Sequence, residues 1–364
     1  MTRPIEALIS LANLRHNFAQ ARDLSPAAKI MAVVKANAYG HGAIHVAGAL
    51  TPLADAFGVA SLEEAVELRE AGIASPIVLL SGVFGREQIH EVARYDLATV
   101  IHSAEQLQLL LDTPLRRPLD VWLKLDSGMH RLGFQASEFC RAAQRLRAAK
   151  QVAKLVFISH LACADQPAQS LNATQLATFR RSLEQLNVRN DEALSLANSA
   201  ALLTRPDMHF DWVRPGVMLY GVNPLIDREP LAAAPALRPV MTLRSRIISI
   251  QTVSAGEGVG YGETWRAAEN SRIAVVAAGY GDGYPRHAVN GCPVLINGQL
   301  APLAGRVSMD LLSVDISAIP DATVGDVVTL WGEGLPVETI ARYSETIAYE
   351  LLTGLNQRVK FTYV

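Results

Sequence analysis

The chain has 364 residues, of which 50% are apolar and 19% are charged, and its formal net charge is −2. This length predicts two domains, or one barrel with an attached domain, and the near-neutral charge gives no support for a nucleic-acid or membrane partner. Three cysteines without paired spacing argue against a disulfide framework, and no signal-peptide core or membrane-length apolar run is present, so we expect a cytoplasmic enzyme.

The N-terminal part of the chain alternates short apolar runs with amphipathic stretches. Helical spacing covers residues 13–24, 61–71, 103–111, 136–149 and 172–186. The apolar runs that predict strands are 30–35, 57–60, 76–80, 98–101, 120–125, 155–159, 194–197 and 212–214. Eight strand candidates alternating with helices predict an α/β fold, a (β/α)8 TIM-type barrel over residues 8–225. Periodicity alone also fits a doubly wound open sheet.

Beyond residue 226 the pattern becomes mostly β. Strand-like runs cover 240–253, 273–278 and 327–330, and helical spacing returns only at 337–344 and 348–355. The pairs Asn290-Gly291 and Asn297-Gly298 predict hairpin turns. We therefore predict a mostly β C-terminal domain over residues 226–364, joined to the barrel near residues 232–236.

Lys35 ends the first strand candidate and stands before a glycine-containing turn. Its ammonium group is costly to bury unless it is paired or used chemically. The expected use is imine formation with an aldehyde, which needs the neutral amine and therefore a lowered pKa. Alternatively, the side chain reaches from the strand end to water, and this segment alone does not separate the two interpretations.

The segment AVVKANAYGHG, residues 32–42, resembles the cofactor-lysine motif of alanine racemases, pyridoxal-phosphate enzymes that interconvert L- and D-alanine. Further matches follow in the family's order almost to the end of the chain. They are KLDSGMHRLG at 124–133, SH at 159–160, ANSA at 197–200, RPG at 214–216, VGYG at 259–262, GYGDG at 279–283, GRVSMD at 305–310 and YEL at 349–351. The resemblance implies a β domain that residues 1–7 join and a homodimer as the working unit.

Two catalytic bases are implied by this resemblance. Lys35 holds pyridoxal 5′-phosphate as a Schiff base and exchanges the α-proton of alanine on one face. Tyr261, in the β domain, exchanges it on the opposite face in the active site of the partner subunit. A phenol has an ordinary pKa near ~10 and needs a nearby positive charge to act as a base. Without the resemblance, Tyr261 is interpreted as a loop aromatic that covers an apolar patch.

Further cofactor contacts implied by the resemblance follow the barrel strands, whose ends share one face. Arg214 donates to the pyridine nitrogen, which stays unprotonated and makes the cofactor a weaker electron sink. His160 links Arg214 to Tyr261. The phosphate contacts are Tyr39, Ser199, Tyr349 and the amides of Gly216 and Val217. Taken alone, Arg214, Ser199 and His160 are interpreted as an ion-pair residue, a helix cap and a core histidine.

Substrate contacts are implied in the same way. Arg131 matches an arginine that touches the cofactor's phenolic oxygen and the substrate carboxylate, and Lys124 matches a lysine that is carbamylated in some relatives. Met309 matches a backbone N–H donor to the substrate carboxylate. An access corridor that favours alanine is expected from Asp165, Tyr280, Arg286, Arg306 and Ile347. Ser308 and Thr353 stand where cysteine is frequent, which leaves the fine specificity open, and no metal is expected.

Three alternatives stay open: a racemase of the same cofactor class with broader specificity, a barrel decarboxylase, and a non-catalytic carrier of the cofactor. The decarboxylase would want an acidic partner for the ring nitrogen, where this chain has Arg214. A carrier would need neither Tyr261 nor the β domain. The sequence does not decide whether D-alanine is made for cell-wall synthesis or degraded.

Overall fold

A computed structural model describes residues 3–225 and 236–364. Strand β1 (Glu6–Ile9) and helix α1 (Leu11–Leu24) precede a closed barrel of eight parallel strands. The barrel strands are β2 (Lys29–Val33), β3 (Ala56–Val59), β4 (Ile77–Leu79), β5 (Ala98–Ile101), β6 (Leu119–Lys124), β7 (Val152–Ile158), β8 (Ala193–Asn198) and β9 (Trp212–Arg214). The helical segments between them are α2 (Lys35–Gly40), α3 (Ala43–Leu50), α4 (Leu62–Glu70), α5 (Arg86–Arg94), α6 (Ala104–Leu111), α7 (Ala136–Arg147), α8 (Ser170–Leu186) and α9 (Ser199–Thr204).

The predicted TIM-type barrel is confirmed, and the open-sheet alternative is wrong. Strand β2 pairs with β9 in parallel, Lys29 opposite Trp212, which closes the sheet on itself. Apolar side chains fill the interior, among them Met31, Val100 and Trp122. Because these side chains make the interior a packed core, a ligand site is expected at the carboxyl ends of the strands.

One strand end differs from its prediction. Lys35 was expected to end the first barrel strand, but β2 ends at Val33 and Lys35 begins α2. The chain turns here because the Ala38 N–H donates to the Val34 carbonyl at 2.8 Å, which takes this segment out of the strand ladder. Lys35 therefore lies on a turn above the barrel rather than in its wall.

The C-terminal part is mostly β, as predicted. Its elements are β10 (Met241–Val253), β11 (Gly258–Val259), β12 (Trp265–Arg266), β13 (Ser271–Val276), β14 (Pro293–Ile296), β15 (Gln299–Pro302), β16 (Leu312–Asp315), β17 (Val327–Trp331), α10 (Val337–Tyr343), α11 (Ala348–Thr353) and β18 (Lys360–Tyr363). Strand β1 pairs with β10 and β18, so the N-terminal strand lies in this sheet. The predicted joint at 232–236 lies outside the described residues except for Ala236.

The two Asn-Gly pairs behave differently. Asn297 and Gly298, with φ of 49° and 76°, connect β14 to β15 as the predicted two-residue hairpin. The hairpin predicted at Asn290-Gly291 is wrong, because the strand before the pair, β13, ends at Val276 and pairs with β10 and β16 rather than with β14, the strand after it. The Asn290 side chain instead donates to the Thr264 carbonyl and accepts from the Gly305 N–H, both at 2.8 Å. Its amide ties two loops together rather than reversing the chain.

A buried amide joins the two parts of the chain. The Asn17 side chain on α1 donates to the carbonyls of Leu219 and Arg238 and accepts from the Arg238 N–H, at 2.8–3.0 Å. Each of these backbone groups would cost free energy if it were buried without a partner. In the described segments, none of the helices combines the length and apolar character needed to cross a membrane.

Candidate active site

Basic side chains gather at the carboxyl end of the barrel. Lys35 follows β2, Lys124 ends β6 and Arg214 ends β9, whereas Arg131 and His160 lie in the loops after β6 and β7. Lys124 and Arg214 are buried, Lys35 and His160 are partly buried, and Arg131 is exposed. The barrel topology thus brings together five residues that are distant in the sequence, in a site suited to an anionic ligand.

The lysines of this site have lowered pKa values. Burial lowers the pKa of Lys35 and the charge of Arg131 lowers it further, while Glu64 opposes both. Burial and the neighbouring Arg214 and Arg131 lower the pKa of Lys124 to about 8. Each shift favours the neutral amine, which is the nucleophilic form of lysine.

Arg214 is a buried guanidinium held by neutral acceptors. It donates to the Ser159 carbonyl at 2.7 Å and the Leu196 carbonyl at 3.2 Å, and burial lowers its pKa to about 9. It also lies 3.3 Å from Nδ1 of His160. Since a guanidinium only donates, Nδ1 must accept, which puts the histidine proton on Nε2. Burial and the surrounding cations hold the pKa of His160 well below its ordinary value, so it is a neutral donor.

Segment α2 is a left-handed helical turn. The four residues Ala36, Asn37, Ala38 and Tyr39 have φ of 52–53° and ψ of 40–52°. Residues with a side chain adopt this conformation at a cost of roughly 1–2 kcal/mol each. The turn brings the Tyr39 ring 4.9 Å from Tyr220 and 5.9 Å from Tyr349. The turn thereby places the Tyr39 ring beside Tyr349, another of the predicted phosphate contacts.

A polar cradle follows strands β8 and β9. Ser199 is buried, and its Oγ accepts from the N–H groups of Gly216 at 2.8 Å and Met218 at 3.4 Å. Asn198, rather than Ser199, caps α9 by accepting from the Ala201 N–H. A Cβ built on Gly216 would lie 2.6 Å from the Tyr39 hydroxyl. This close approach requires glycine and lines the cradle with two hydroxyl groups.

The β-domain residues of the predicted site lie on the surface of the single chain. Tyr261 is 69% exposed, in a short 3-10 turn after β11, and Met309 and Ile347 are 53% and 61% exposed. Among the hydrogen bonds described for residues 3–225 and 236–364, His160 is paired with Arg214 and not with Tyr261. The single chain thus leaves the Tyr261 side chain largely open to solvent.

A buried carboxylate fixes the loops around Met309. Asp282 is fully buried, pairs with Arg3 at 2.7 Å and accepts from the Gly279 N–H at 2.9 Å. In the same turn, the Gly281 N–H donates to the Met309 carbonyl at 2.8 Å. This network ties the predicted substrate contact Met309 to the turn that carries the predicted corridor residue Tyr280.

Two residues with site contacts were missed by sequence reasoning. Gln175, buried in α8, donates to the His160 carbonyl at 3.1 Å and accepts from the Ala162 N–H at 2.9 Å, which fixes the loop after β7. Glu64 accepts from the N–H groups of Ala36 and Ala60, both at 2.7 Å. The only available signal for Glu64 was its position three residues after Ser61, a capping pattern that would have predicted local bonds alone.

No group of three or more His, Cys, Asp or Glu residues within 3–225 and 236–364 is arranged to hold a metal ion. The donors at the barrel mouth are ammonium, guanidinium, hydroxyl and amide groups. They suit an anionic organic ligand such as a phosphate ester better than a cation.

Comparisons with known proteins cover the whole chain. Residues 9–224 match the family model "Alanine racemase, N-terminal domain", and residues 240–363 match "Alanine racemase, C-terminal domain". An alanine racemase of Chromohalobacter salexigens is 51% identical, with 100% of this chain and 98% of the relative covered. One of Nitrosomonas eutropha is 47% identical, with 99% and 98% covered. The crystal structure of a biosynthetic alanine racemase from Pseudomonas aeruginosa has a TM-score of 0.94 at 48% identity, covering all of both chains.

Proposed function

Because this chain belongs to the alanine racemase family and is an isomerase, we propose that it interconverts L- and D-alanine with pyridoxal 5′-phosphate by a two-base mechanism. The observation that carries this proposal is the lowered pKa of Lys35 beside the Tyr39, Ser199 and Gly216 cradle. The test is purification with the cofactor, a visible absorbance near ~420 nm as expected of a lysine Schiff base, and turnover of each alanine enantiomer. A colourless protein, or one that turns over neither enantiomer, would reject the proposal.

The donor set fits this cofactor. Lys35 would hold the aldehyde carbon, Arg214 the pyridine nitrogen and Arg131 the phenolic oxygen. The phosphate contacts would be Tyr39, Ser199, Tyr349 and the amides of Gly216 and Val217. When bound, the cofactor withdraws electrons from the α-carbon of the substrate and thereby acidifies its α-hydrogen. Arg214 can only donate, so it leaves the pyridine nitrogen unprotonated and limits this withdrawal, which disfavours side reactions.

Proton transfer is assigned to two of the chain's own side chains. As the neutral amine, Lys35 takes the α-proton on one face while Tyr261 of the partner subunit, as the phenol, gives a proton on the other. In the reverse direction Tyr261 takes the α-proton as the phenolate and Lys35 gives one as the ammonium. The neutral His160 carries a proton on Nε2 that can donate a hydrogen bond to the Tyr261 oxygen and so orient it. Arg131 and the Met309 backbone N–H orient the substrate carboxylate, so that the α-hydrogen points at a base.

We also propose a homodimer with shared active sites, since Tyr261, Met309 and Ile347 are exposed in one chain. Lys35→Ala and Tyr261→Phe proteins should each be nearly inactive. Refolding them together at equal amounts should restore about one quarter of wild-type activity, because half the dimers are mixed and each mixed dimer has one intact site. Activity that stays at the level of the separate variants would show that each chain supplies both bases to its own site.

The cradle predicts the effect of one methyl group. Gly216→Ala should weaken cofactor binding about 10-fold or more, a loss of roughly 1.4 kcal/mol or more, because its Cβ displaces the Tyr39 hydroxyl. The measurement is equilibrium titration of the apoprotein by fluorescence. Gly48→Ala is the matched control, since a Cβ on this helical glycine meets nothing within 4 Å. Equal affinity in both variants would remove Gly216 from the proposed phosphate site.

Finer features of the proposal rest on single observations. Carbamylation of Lys124 is supported by its pKa of about 8, since the neutral amine is the form that reacts with carbon dioxide. A cytoplasmic location accords with Cys140, Cys163 and Cys292 as free thiols. The division at residues 225 and 226, the alanine-selective corridor and a role in D-alanine supply for the cell wall are proposed from the family resemblance.

A further inference from the structure

The left-handed turn α2 carries the lysine of the proposed reaction, yet its backbone is intrinsically unfavourable. Ala36, the residue directly after Lys35, has φ of 52° and ψ of 52° without being glycine. Such a conformation persists only where the surrounding structure holds it. The position of the Lys35 amine therefore depends on whatever fixes the backbone at residue 36.

Glu64 makes that contact. Its Oε1 accepts from the Ala36 N–H and its Oε2 accepts from the Ala60 N–H, both at 2.7 Å. One carboxylate thereby connects the strained turn to the chain between β3 and α4. Hydrogen bonds to an ionised acceptor are about twice as strong as hydrogen bonds between neutral groups, which favours this bridge as the support of the turn.

The helix that carries Glu64 favours this arrangement. Glu64 is in the first turn of α4, where the helix dipole stabilises a negative charge. Ser61 already caps the helix through its Oγ, which leaves both carboxylate oxygens of Glu64 for contacts outside it. Glu63, in the same turn, is exposed, and none of the hydrogen bonds described for residues 3–225 and 236–364 joins its side chain to α2.

We propose that Glu64 is a positioning residue that holds the left-handed turn and so keeps the Lys35 amine at the cofactor. This inference rests on the proposed function for the role of Lys35, but the backbone contact itself does not. Glu64 touches neither substrate nor cofactor in this proposal. The negative charge of its carboxylate also raises the pKa of Lys35, which opposes the lowering of that pKa by Arg131.

The test starts with Glu64→Ala. We expect cofactor release into excess competing apoprotein, followed by absorbance, to become about 10-fold faster, and kcat to fall about 10-fold with the alanine KM changed less than about 2-fold. Glu63→Ala is the matched control, because it removes the same charge from the same helical turn; it should match wild type in both measurements. A Glu64→Ala protein that releases cofactor at the wild-type rate would overturn the proposal.

A second substitution separates positioning from general support of the fold. Glycine adopts a positive φ without a Cβ clash, so Ala36→Gly relieves the strain that Glu64 is proposed to hold. Adding Ala36→Gly to Glu64→Ala should return the cofactor release rate to within about 3-fold of wild type. A rate that stays at the Glu64→Ala value would assign Glu64 a role unrelated to the turn and overturn the proposal.

Apoprotein stability supplies a measurement that needs no cofactor. Glu64→Ala should lower the thermal unfolding midpoint of the apoprotein, and Ala36→Gly should raise it in that background by more than it does in wild type. If Glu64→Ala does not fold, Glu64→Gln replaces it, since one of the two N–H groups would then face the side-chain NH2 donor instead of an acceptor oxygen. Equal gains in both backgrounds would overturn the proposal, whereas absence of racemisation by wild type would reject the proposed function alone.

Discussion

Tyr261→Phe is expected to reduce racemisation about 10²–10⁴-fold, the range that one positioned acid-base group contributes. The phenyl ring keeps the size and exposure of the tyrosine, while the atom that exchanges the proton is lost. Because Tyr261 makes no proposed cofactor contact, visible absorbance and cofactor affinity should stay at wild-type values. Tyr343→Phe, at a partly exposed tyrosine of α10, is the matched control and should retain full activity.

The direction of the loss tests the assignment of the two faces. In Tyr261→Ala, exchange of the α-hydrogen of L-alanine for solvent deuterium should be lost far more than exchange from D-alanine, because Lys35 still serves one face. Equal losses from both enantiomers would contradict the two-base assignment. A protein that bound the cofactor but did not act on alanine would show no change in either experiment.

The barrel could be predicted because its strands are buried on both faces. Runs such as 120–125 and 155–159 are mostly apolar, and each is followed by a helical pattern, a combination that the closed sheet requires. Closure of the sheet into a barrel was harder to predict from the sequence, because the pairing of β2 with β9 joins residues far apart in the chain. The distinction from an open sheet is a property of that one pairing.

Local backbone at the site was the part that sequence patterns could not give. Asn37 tolerates the left-handed region, but Ala36 and Ala38 have no signal for it, and contacts such as that of Glu64 are needed to hold the turn. The two Asn-Gly pairs show the same limit. Asn297-Gly298 forms its hairpin, whereas the Asn290 amide is used to join two loops. In each case a tertiary contact decides between local conformations that the sequence leaves equally available.

The spatial grouping of site residues was predictable only within the barrel. Strand ends converge by topology, so Lys35, Lys124, Arg131, His160 and Arg214 gather as expected. The barrel topology does not determine the position of Tyr261, because this residue is exposed on the β domain of its own chain. Its proposed pairing with Lys35 requires a second chain, so neither periodicity nor the fold of one chain predicts it. That difference makes the subunit-mixing experiment decisive for the shared site.

Lys35→Ala is expected to have the largest effect, with racemisation reduced more than about 10⁴-fold, because one change removes both the covalent anchor of the cofactor and one base. The visible absorbance of a lysine Schiff base should disappear. Burial lowers the pKa of Lys35, so the neutral amine in wild type is available at lower pH than that of an exposed lysine. Lys29→Ala, at the exposed start of strand β2, which precedes Lys35, is the matched control and should be coloured and active.

Added methylamine provides a second test of the Lys35→Ala protein. It can occupy the space left by the side chain and supply a free amine of similar basicity, so it should restore part of the activity of Lys35→Ala in proportion to its concentration. The restored activity should rise with pH, since only the neutral amine reacts and its fraction grows until the pH passes its pKa. A Lys35→Ala protein that remained coloured and active without added amine would place the cofactor anchor at another residue. The next candidate would be Lys124, whose pKa of about 8 also favours the neutral amine.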